Sequence, residues 1–448
     1  MIPARLIEGP DASLPAILDR REQRAARQRE LLERGGNLVS FAMNIPGVRK
    51  QFPLARRGYE EGMDALRALF GAHILEEEPY SAVTGDEALL RLDLPAREVK
   101  ERTVALEESH PLGRLWDMDV LDGEGRSLSR TAFGFPQRRC LICGDSAKVC
   151  GRSRRHTTEE LFYRAAGVLY DHFRTRAAEK VGRCALQAVL TEVAVTPKPG
   201  LVDRCDSGAH KDMDFFTFLD SASALSPWFG RFFLAGWDQE EGLFGRLRTL
   251  GLQAERDMFA ATSGVNTHKG LIFSMSILCG ALGRAGAEAF PGEPDLEVVL
   301  STARSLGAQS LGDLEGKEAA TSSLRCYRAH GLPGIRGEAA AGFPAVFETG
   351  LPTLKAWLDR GASLNDSGAA ALLALMARVD DTNMIHRGGY EEAARRKGEA
   401  AELLDRLEPH TLLPALAALN QDYIRQNLSP GGCADLLALT LFFHFLSR

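Results

Sequence analysis

TTEELFYRAAGVLYDHFRTRAAEKVGRCALQAVLTEVAV, residues 157–195, is where the character of the chain changes. Thr157 or Thr158 stands as an N-cap with Glu160 near the third helical position, and the stretch predicts one or two helices with no flexible linker. Upstream, helical and strand patterns alternate. Downstream, from Val181 onward, Ala- and Leu-rich segments recur at the 3.6-residue period, broken by Gly and Pro, with no convincing alternating strand. The chain therefore reads as two domains: residues 1–175 of α/β or α+β type, and residues 176–448 all-helical. Motifs, rather than a shift in composition, set the boundary, at about 171–178.

Composition bounds the rest. A chain of 448 residues, 45% hydrophobic and 25% charged, is a globular protein of about two domains. Its longest apolar runs, 270–283 and 436–446, read as too short to span a bilayer. The N-terminal MIPARLIEGPDASL lacks the apolar core of a signal peptide, so the expectation is a cytoplasmic protein, not membrane-bound, whose eight cysteines are reduced thiols or metal ligands. A net charge of −6 argues against nucleic acid as the main partner and leaves local basic clusters to recognise phosphorylated small molecules.

In the first half, residues 11–34 read as a capped helix opened by Asp11 or Ser13 and closed by Gly35 and Gly36. Residues 37–44 (NLVSFAMN) suit a buried strand, IPG at 45–47 turns the chain, and a second helix is predicted near 60–70. The chemical centre is HPLGRLWDMDVLD, residues 110–122. As a strand it puts Trp116, Met118 and Val120 on one face and Asp117 and Asp119 on the other, about 7 Å apart at the backbone. Two carboxylates so placed repel unless they share Mg²⁺, and His110 and Arg114 just upstream suit phosphate. An edge strand with a solvated face is the competing reading.

GRLWDMDV, together with NIPGVRK at 44–50 and RRCLICGDSAKVCGRSRRH at 138–156, resembles the citrate lyase holo-acyl-carrier-protein synthase family, which shares a G-R-x-x-D-x-D signature with nucleotidyltransferases. The resemblance spans nearly all of residues 10–170. It implies a nucleotidyltransferase-like fold and transfer of a phosphoribosyl-dephospho-CoA group from its triphosphate form to a serine of the apo-acyl carrier protein (the gamma subunit) of citrate lyase, with release of pyrophosphate. The motif's physics agrees: a hydroxyl attacking an α-phosphorus needs charge neutralisation and in-line alignment, for which Asp117, Asp119 and Arg114 are the candidates. Residues 126–155 carry eight Lys or Arg against one acidic residue, Asp145, and read as a docking surface for an acidic carrier and for substrate phosphates, or as a solvated loop. Within them Cys140, Cys143 and Cys150, followed by His156, could complete a tetrahedral zinc site, although the spacing is not a standard knuckle.

Four polar stations interrupt the helical half. The first is TPKPGLVDRCDSGAHKDMD, residues 196–214, a loop stiffened by Pro197 and Pro199. In it Lys198, Arg204 and Lys211, with His210, could bind phosphate oxygens, while Asp203, Asp206, Asp212 and Asp214 could hold Mg²⁺. A loop whose Asp214 merely caps the next helix stays open at this point. The second, SGVNTHKG at 263–270, places Asn266, Thr267, His268 and Lys269 at a helix N-terminus, where free N–H groups favour phosphate; it is no Walker loop, since its Lys-Gly order is reversed. The third, residues 322–342, supplies Arg325, Arg328, His330 and Arg336. In the fourth, Asp380 and Asp381 follow an apolar helix and would oppose its macrodipole, so that a bound cation is preferred over capping by the Thr382, Asn383, His386, Arg387 segment.

These stations, with LSPGGCADLLA near the C-terminus, resemble the triphosphoribosyl-dephospho-CoA synthase family over residues 178–448. Cys433 departs from it, where the GGSADLLA pattern has serine. The resemblance implies that ATP and dephospho-CoA react to release adenine, forming a ribose-to-ribose glycosidic bond and keeping the triphosphate. An oxocarbenium-like displacement of this kind needs a carboxylate and a proton donor, and the spacing assigns neither role. The second domain's product is then the first domain's substrate. The competing readings are the related prosthetic-group system of malonate decarboxylase and a non-catalytic nucleotide-binding, carrier-docking protein; the carboxylate pairs 117/119 and 380/381 speak against the latter.

Overall fold

The computed structural model describes residues 2–238, 241–315, 322–406 and 408–448. The chain forms two compact units, Met1–Arg174 and Thr175–Arg448. In the first, α1 (Leu14–Leu32), β1 (Asn37–Met43), α2 (Pro53–Phe70), β2 (Ile74–Ala82), β3 (Gly85–Leu92), α3 (Ala96–Ser109), β4 (Trp116–Leu121) and α4 (Ala147–Ser153) follow in order. α5 (Thr158–Ala194) is a single 37-residue helix that begins in this unit. A reciprocal cap opens it: the Glu160 N–H donates to Thr157 Oγ1 at 3.1 Å, and the Thr157 N–H donates to the Glu160 carboxylate at 2.7 Å.

The four strands lie in the order β2-β3-β1-β4, and every neighbouring pair is antiparallel. This corrects the α/β alternative, because a parallel sheet would need crossover helices between neighbouring strands; the unit is a four-stranded antiparallel sheet with helices. The β2–β3 hairpin went unpredicted for a physical reason. β2 carries three successive glutamates and buries little, being held instead by ion pairs: Glu76 with Arg34 and Arg91, Glu77 with Arg67, and Glu78 with Arg27. α2 also starts earlier than the predicted residue 60, because Pro53 at its first turn has no N–H to leave unpaired.

α2 meets the sheet through two glycines. A Cβ on Gly62 would stand 2.4 Å from Phe41 Cζ, so only glycine lets α2 approach. Phe41 stacks on Tyr59 with centroids 5.4 Å apart and meets Trp116 edge-on at 6.4 Å, while Trp116 Nε1 donates to the Gly58 carbonyl at 3.0 Å. β4 alternates as its sequence predicts. Trp116, Met118 and Val120 are buried, and Asp117 and Asp119 face the other way, opposite Ala42 and Ser40 of β1. Among the described residues β4 has β1 as its one strand neighbour, and α3 lies along its other edge: the Met118 N–H donates to Glu107 at 3.1 Å, and Lys100 donates to the Met118 carbonyl at 3.3 Å.

The second unit is helical throughout its described residues. After the rest of α5 and a loop at 195–214 come α6 (Phe215–Trp237), α7 (Leu243–Ala261), α8 (Lys269–Ala289), α9 (Leu296–Gln309), α10 (Ser322–His330), α11 (Ile335–Ala341), α12 (Leu351–Asp359), α13 (Leu364–Arg378), α14 (Thr382–Gly388), α15 (Tyr390–Leu404), α16 (Pro409–Arg425) and α17 (Gly431–Leu446). α6 and α8 touch backbone to backbone: a Cβ on Gly283 would fall 1.9 Å from the Phe233 carbonyl oxygen. α8 is longer than the apolar run it contains. By length and composition it passes as a membrane span, but 78% of its apolar window is buried within the protein, as in a core helix.

Candidate active sites

The Asp117–Asp119 pair heads the first site. Although Asp119 keeps part of its surface in solvent, desolvation by the surrounding protein and, second, the Asp117 charge push its carboxyl above the ordinary range. Arg138 bonds only one partner directly, donating to Asp117 at 3.0 Å with one arm and pairing with Glu107 through the other, while its charge and that of Lys100 partly offset the Asp119 shift. Arg114 lies alongside. Its Nε donates to the Arg139 carbonyl at 2.7 Å, and its Nη1 is buried without a partner, a donor available to an oxyanion.

His110 is a correction to the phosphate-binding expectation. Its ring stacks on Trp116 at 4.2 Å, on the sheet face opposite the two aspartates. The Leu112 N–H donates to its Nδ1 at 3.1 Å, which leaves the proton on Nε2, directed at Glu61 3.3 Å away; Glu61 also accepts from His172 at 2.8 Å. Glu61, His110 and His172 thus cluster closely enough for a metal, but the hydrogen bonding places a proton where a metal would bind. The basic stretch is likewise partly neutralised. Arg126, Arg130, Arg138 and Arg155 pair with carboxylates, whereas Arg139, Lys148, Arg152 and Arg154 stay exposed.

Cys140, Cys143, Cys150 and His156 are brought together, their ligand atoms all within 4.8 Å of one another. Desolvation would raise the Cys140 thiol, but the peptide N–H groups of Ile142 and Cys143 and the neighbouring thiols outweigh it and bring it down to about 7.

The second unit holds a partly open cavity of about 1050 Å³, just above the usual range for small-molecule sites. Lys198, His210, Asp212, His268, Lys269, Arg325, Arg336, Asp380 and Asp381 line it, so residues from all four predicted stations converge. Seven expected residues, Arg328 among them, are absent from its lining. Asp203 is 2% exposed and organises its own loop, accepting the N–H groups of Lys198, Cys205 and Asp206 at 2.7–3.2 Å. Asp214 forms a capping box with Thr217 at the start of α6, the reading set against a metal role. Arg204 donates to Asn365 at 3.0 Å, Lys211 is exposed, and His330 stacks on Tyr390. Asp206, also outside the lining, accepts from Gly208 and Asn420.

Asp381 corrects the dipole argument. α13 ends before Val379, and Asp381 opens α14 as its N-cap, where the macrodipole favours negative charge. Its Oδ1 accepts the N–H groups of Asn383 and Met384 and its Oδ2 that of Cys433, so peptide donors already serve this carboxylate, although desolvation still holds it above the ordinary range. Asp380 pairs with Lys397 through one oxygen at 2.7 Å.

His268 is set up as a neutral donor. Thr267 donates to Ser221 Oγ at 2.7 Å, so the Ser221 proton goes to His268 Nδ1, also at 2.7 Å; Nε2 then carries the ring proton and is buried without a partner. Burial, with help from Lys198, lowers this imidazole to about 3. His210 accepts from Arg387 at 3.3 Å and bonds Ser429 at 2.9 Å, and burial first, then Arg387, lowers it to about 4.

Five lining carboxylates, Glu192, Glu255, Asp313, Glu338 and Asp435, escaped the reading of the sequence, and two of them bear most directly on the chemistry. Glu192 is 4% exposed and forms an ion pair with Lys198, itself 1% exposed. Asp435 packs on Gly270 at the start of α8, where an added Cβ would lie 2.2 Å from its Oδ2. Desolvation, then the Glu192 and Asp381 charges, hold the Asp435 carboxyl well above the ordinary range. A signal was there: a lone acid in GGCADLLALTLFFHFL faces a costly burial that structure alone does not require.

Residues 178–448 match the family model described as ATP:dephospho-CoA triphosphoribosyl transferase, and residues 12–172 match that described as apo-citrate lyase phosphoribosyl-dephospho-CoA transferase. The chain is 36% identical to Protein CitXG of Haemophilus influenzae and 33% identical to Protein CitXG of Leuconostoc mesenteroides subsp. cremoris, covering 97% of both chains in each case. It is also 37% identical to the 2-(5''-triphosphoribosyl)-3'-dephosphocoenzyme-A synthase of Haemophilus ducreyi, across 67% of this chain and 98% of that protein.

Proposed function

The chain belongs to the family that fuses an apo-citrate lyase phosphoribosyl-dephospho-CoA transferase to an ATP:dephospho-CoA triphosphoribosyl transferase, and from that premise we propose which residues serve each reaction. The C-terminal part makes triphosphoribosyl-dephospho-CoA from ATP and dephospho-CoA, and the N-terminal part transfers phosphoribosyl-dephospho-CoA to apo-citrate lyase. The acceptor named by the matched family is that of citrate lyase rather than malonate decarboxylase. The division of labour falls near residue 175.

In the synthase reaction the bond between adenine and ribose breaks, a ribose hydroxyl of dephospho-CoA bonds to the anomeric carbon, the hydroxyl loses a proton and adenine gains one. Asp435 is the proton donor to adenine. The observation that carries this assignment is its position on the cavity wall with a carboxyl that burial and two neighbouring acids keep protonated. Lys269, Arg325 and Arg336 take the triphosphate, at and around the N-terminus of α8. His268 Nε2–H adds a neutral hydrogen bond, His210 is held in the wall by Arg387 and Ser429, and Lys198 fixes the loop through Glu192. Asp212 and Asp380 fit a Mg²⁺ accompanying ATP best, because no peptide N–H groups occupy their oxygens, whereas Asp381 already accepts three. Asp435→Asn should cut adenine release by about 10²-fold or more with little change in ATP affinity; a loss of affinity with turnover intact would remove the acid role.

In the transferase reaction, on a nucleotidyltransferase-like unit, a carrier serine oxygen bonds to the α-phosphorus as the bond to pyrophosphate breaks and the serine proton leaves. Asp117 and Asp119 fit a Mg²⁺ ion, since they share one strand face and the Asp119 carboxyl is raised by desolvation first and by the Asp117 charge second. Such an ion would neutralise phosphate charge. Arg114 donates to a phosphate oxygen, and Arg138 holds Asp117 in place. The unpaired cysteines accord with a reducing, cytoplasmic setting.

A further inference from the structure

We propose that Cys140, Cys143, Cys150 and His156 bind one structural Zn²⁺ ion that fastens the Arg138–Arg139 turn beside the transferase aspartates. Zinc takes four N and S ligands tetrahedrally at about 2.0–2.3 Å, which places neighbouring ligand atoms about 3.5–3.8 Å apart. Cys143 and Cys150 have sulfurs 3.9 Å apart, far beyond the roughly 2.05 Å of a disulfide and close to one edge of that tetrahedron. All four ligand atoms lie within 4.8 Å of one another.

Three further observations point the same way. His156 Nε2 is buried without a hydrogen-bond partner, an orphaned acceptor or donor that a ligand role would satisfy. The segment folds as a small hairpin, with Arg139 bridged to Ser146, the Cys140 N–H donating to the Asp145 carbonyl at 2.7 Å, the Ala147 N–H donating to the Arg138 carbonyl at 2.9 Å, and Gly144 at φ 72° in the turn. Yet it has little apolar burial to hold this shape. Ile142 is 42% exposed and Val149 62% exposed, so hydrophobic packing does not account for the order, and metal binding supplies folding free energy to such segments.

The consequence for the reaction depends on the reading of Asp117 and Asp119 as the transferase site. Arg138, two residues before Cys140, reaches Asp117, and the Arg139 carbonyl accepts from Arg114. Fixing the hairpin fixes both guanidinium groups, which makes the zinc ligands positioning residues.

The test begins with elemental analysis of the full-length protein purified without added metal, where about one zinc per chain is expected. Replacement by Co²⁺ should give the thiolate-to-cobalt charge-transfer bands of a tetrahedral sulfur-rich site, and Cys143→Ser should weaken or abolish them. Zinc below a tenth of an equivalent, with all of these thiols reacting freely and no metal released, would overturn the site. Cys143→Ser should also cut carrier modification about tenfold or more while adenine release is unchanged. A Cys143→Ser protein that has lost the metal yet keeps normal carrier kinetics would overturn the positioning role, whereas failure of the transferase reading itself would show as Asp119→Asn leaving carrier modification intact.

Discussion

Asp381 accepts the peptide N–H of Cys433 at 2.9 Å, tying the start of α14 to the start of α17 at the wall of the synthase cavity. The cysteine-for-serine departure at 433 leaves this contact intact, since it is made by the backbone, and the Cys433 thiol adds a bond of its own to the same carboxylate. Asp381→Asn keeps a capping oxygen but turns an NH₂ group toward a donor. Loss of that buried bond should destabilise the protein by about 1–3 kcal/mol. Calorimetry without metal should show a lower melting temperature; an unchanged or higher one would restore the bound-cation account of this residue.

Acid sensitivity follows from His210, held at about 4 in the folded protein against an ordinary value of 6.5. Its folded value is depressed, so the unfolded chain binds more protons between these pH values, and the stability it contributes is present above about 6.5 and lost as pH falls toward 4. His210→Gln should flatten this part of the stability–pH curve by up to about one proton. Identical slopes for the variant and the parent protein over pH 4–6.5 would exclude His210 as the source.

Arg139, Lys148, Arg152 and Arg154 remain as exposed cations in the basic stretch. Reversing Arg152 and Arg154 to Glu should raise the KM for an acidic apo-carrier several-fold and weaken its dependence on salt, with kcat nearly unchanged, because exposed charges act mainly on encounter. Carrier kinetics that match the parent protein across a salt series would remove the docking role.

Much of this molecule was legible because local rules were strong. The alternation in WDMDVL gave β4 and the Asp117–Asp119 face, Thr157 and Glu160 gave the start of α5, and Lys269 fell at a helix N-terminus. The β2–β3 hairpin was hidden because its edge strand is stabilised by long-range arginine pairs rather than by a buried face. In the loop at 196–214, residue type could not separate a carboxylate that binds substrate from one that binds its own backbone: Asp212 lines the cavity, while Asp203 and Asp214 accept peptide N–H groups. Asp381 misled for a related reason, since a helix C-terminus and the next N-cap lie two residues apart. Asp435 and Glu192 needed the tertiary packing that makes their burial visible.

The central claim is that two separate sites serve two successive reactions. Asp119→Asn, assayed in one preparation with ATP, Mg²⁺, dephospho-CoA and apo-carrier, tests it most directly. The account predicts adenine release within about twofold of the parent protein, accumulation of the triphosphoribosyl intermediate, and carrier modification reduced by about 10²-fold or more. Loss of both activities in the folded variant would contradict it.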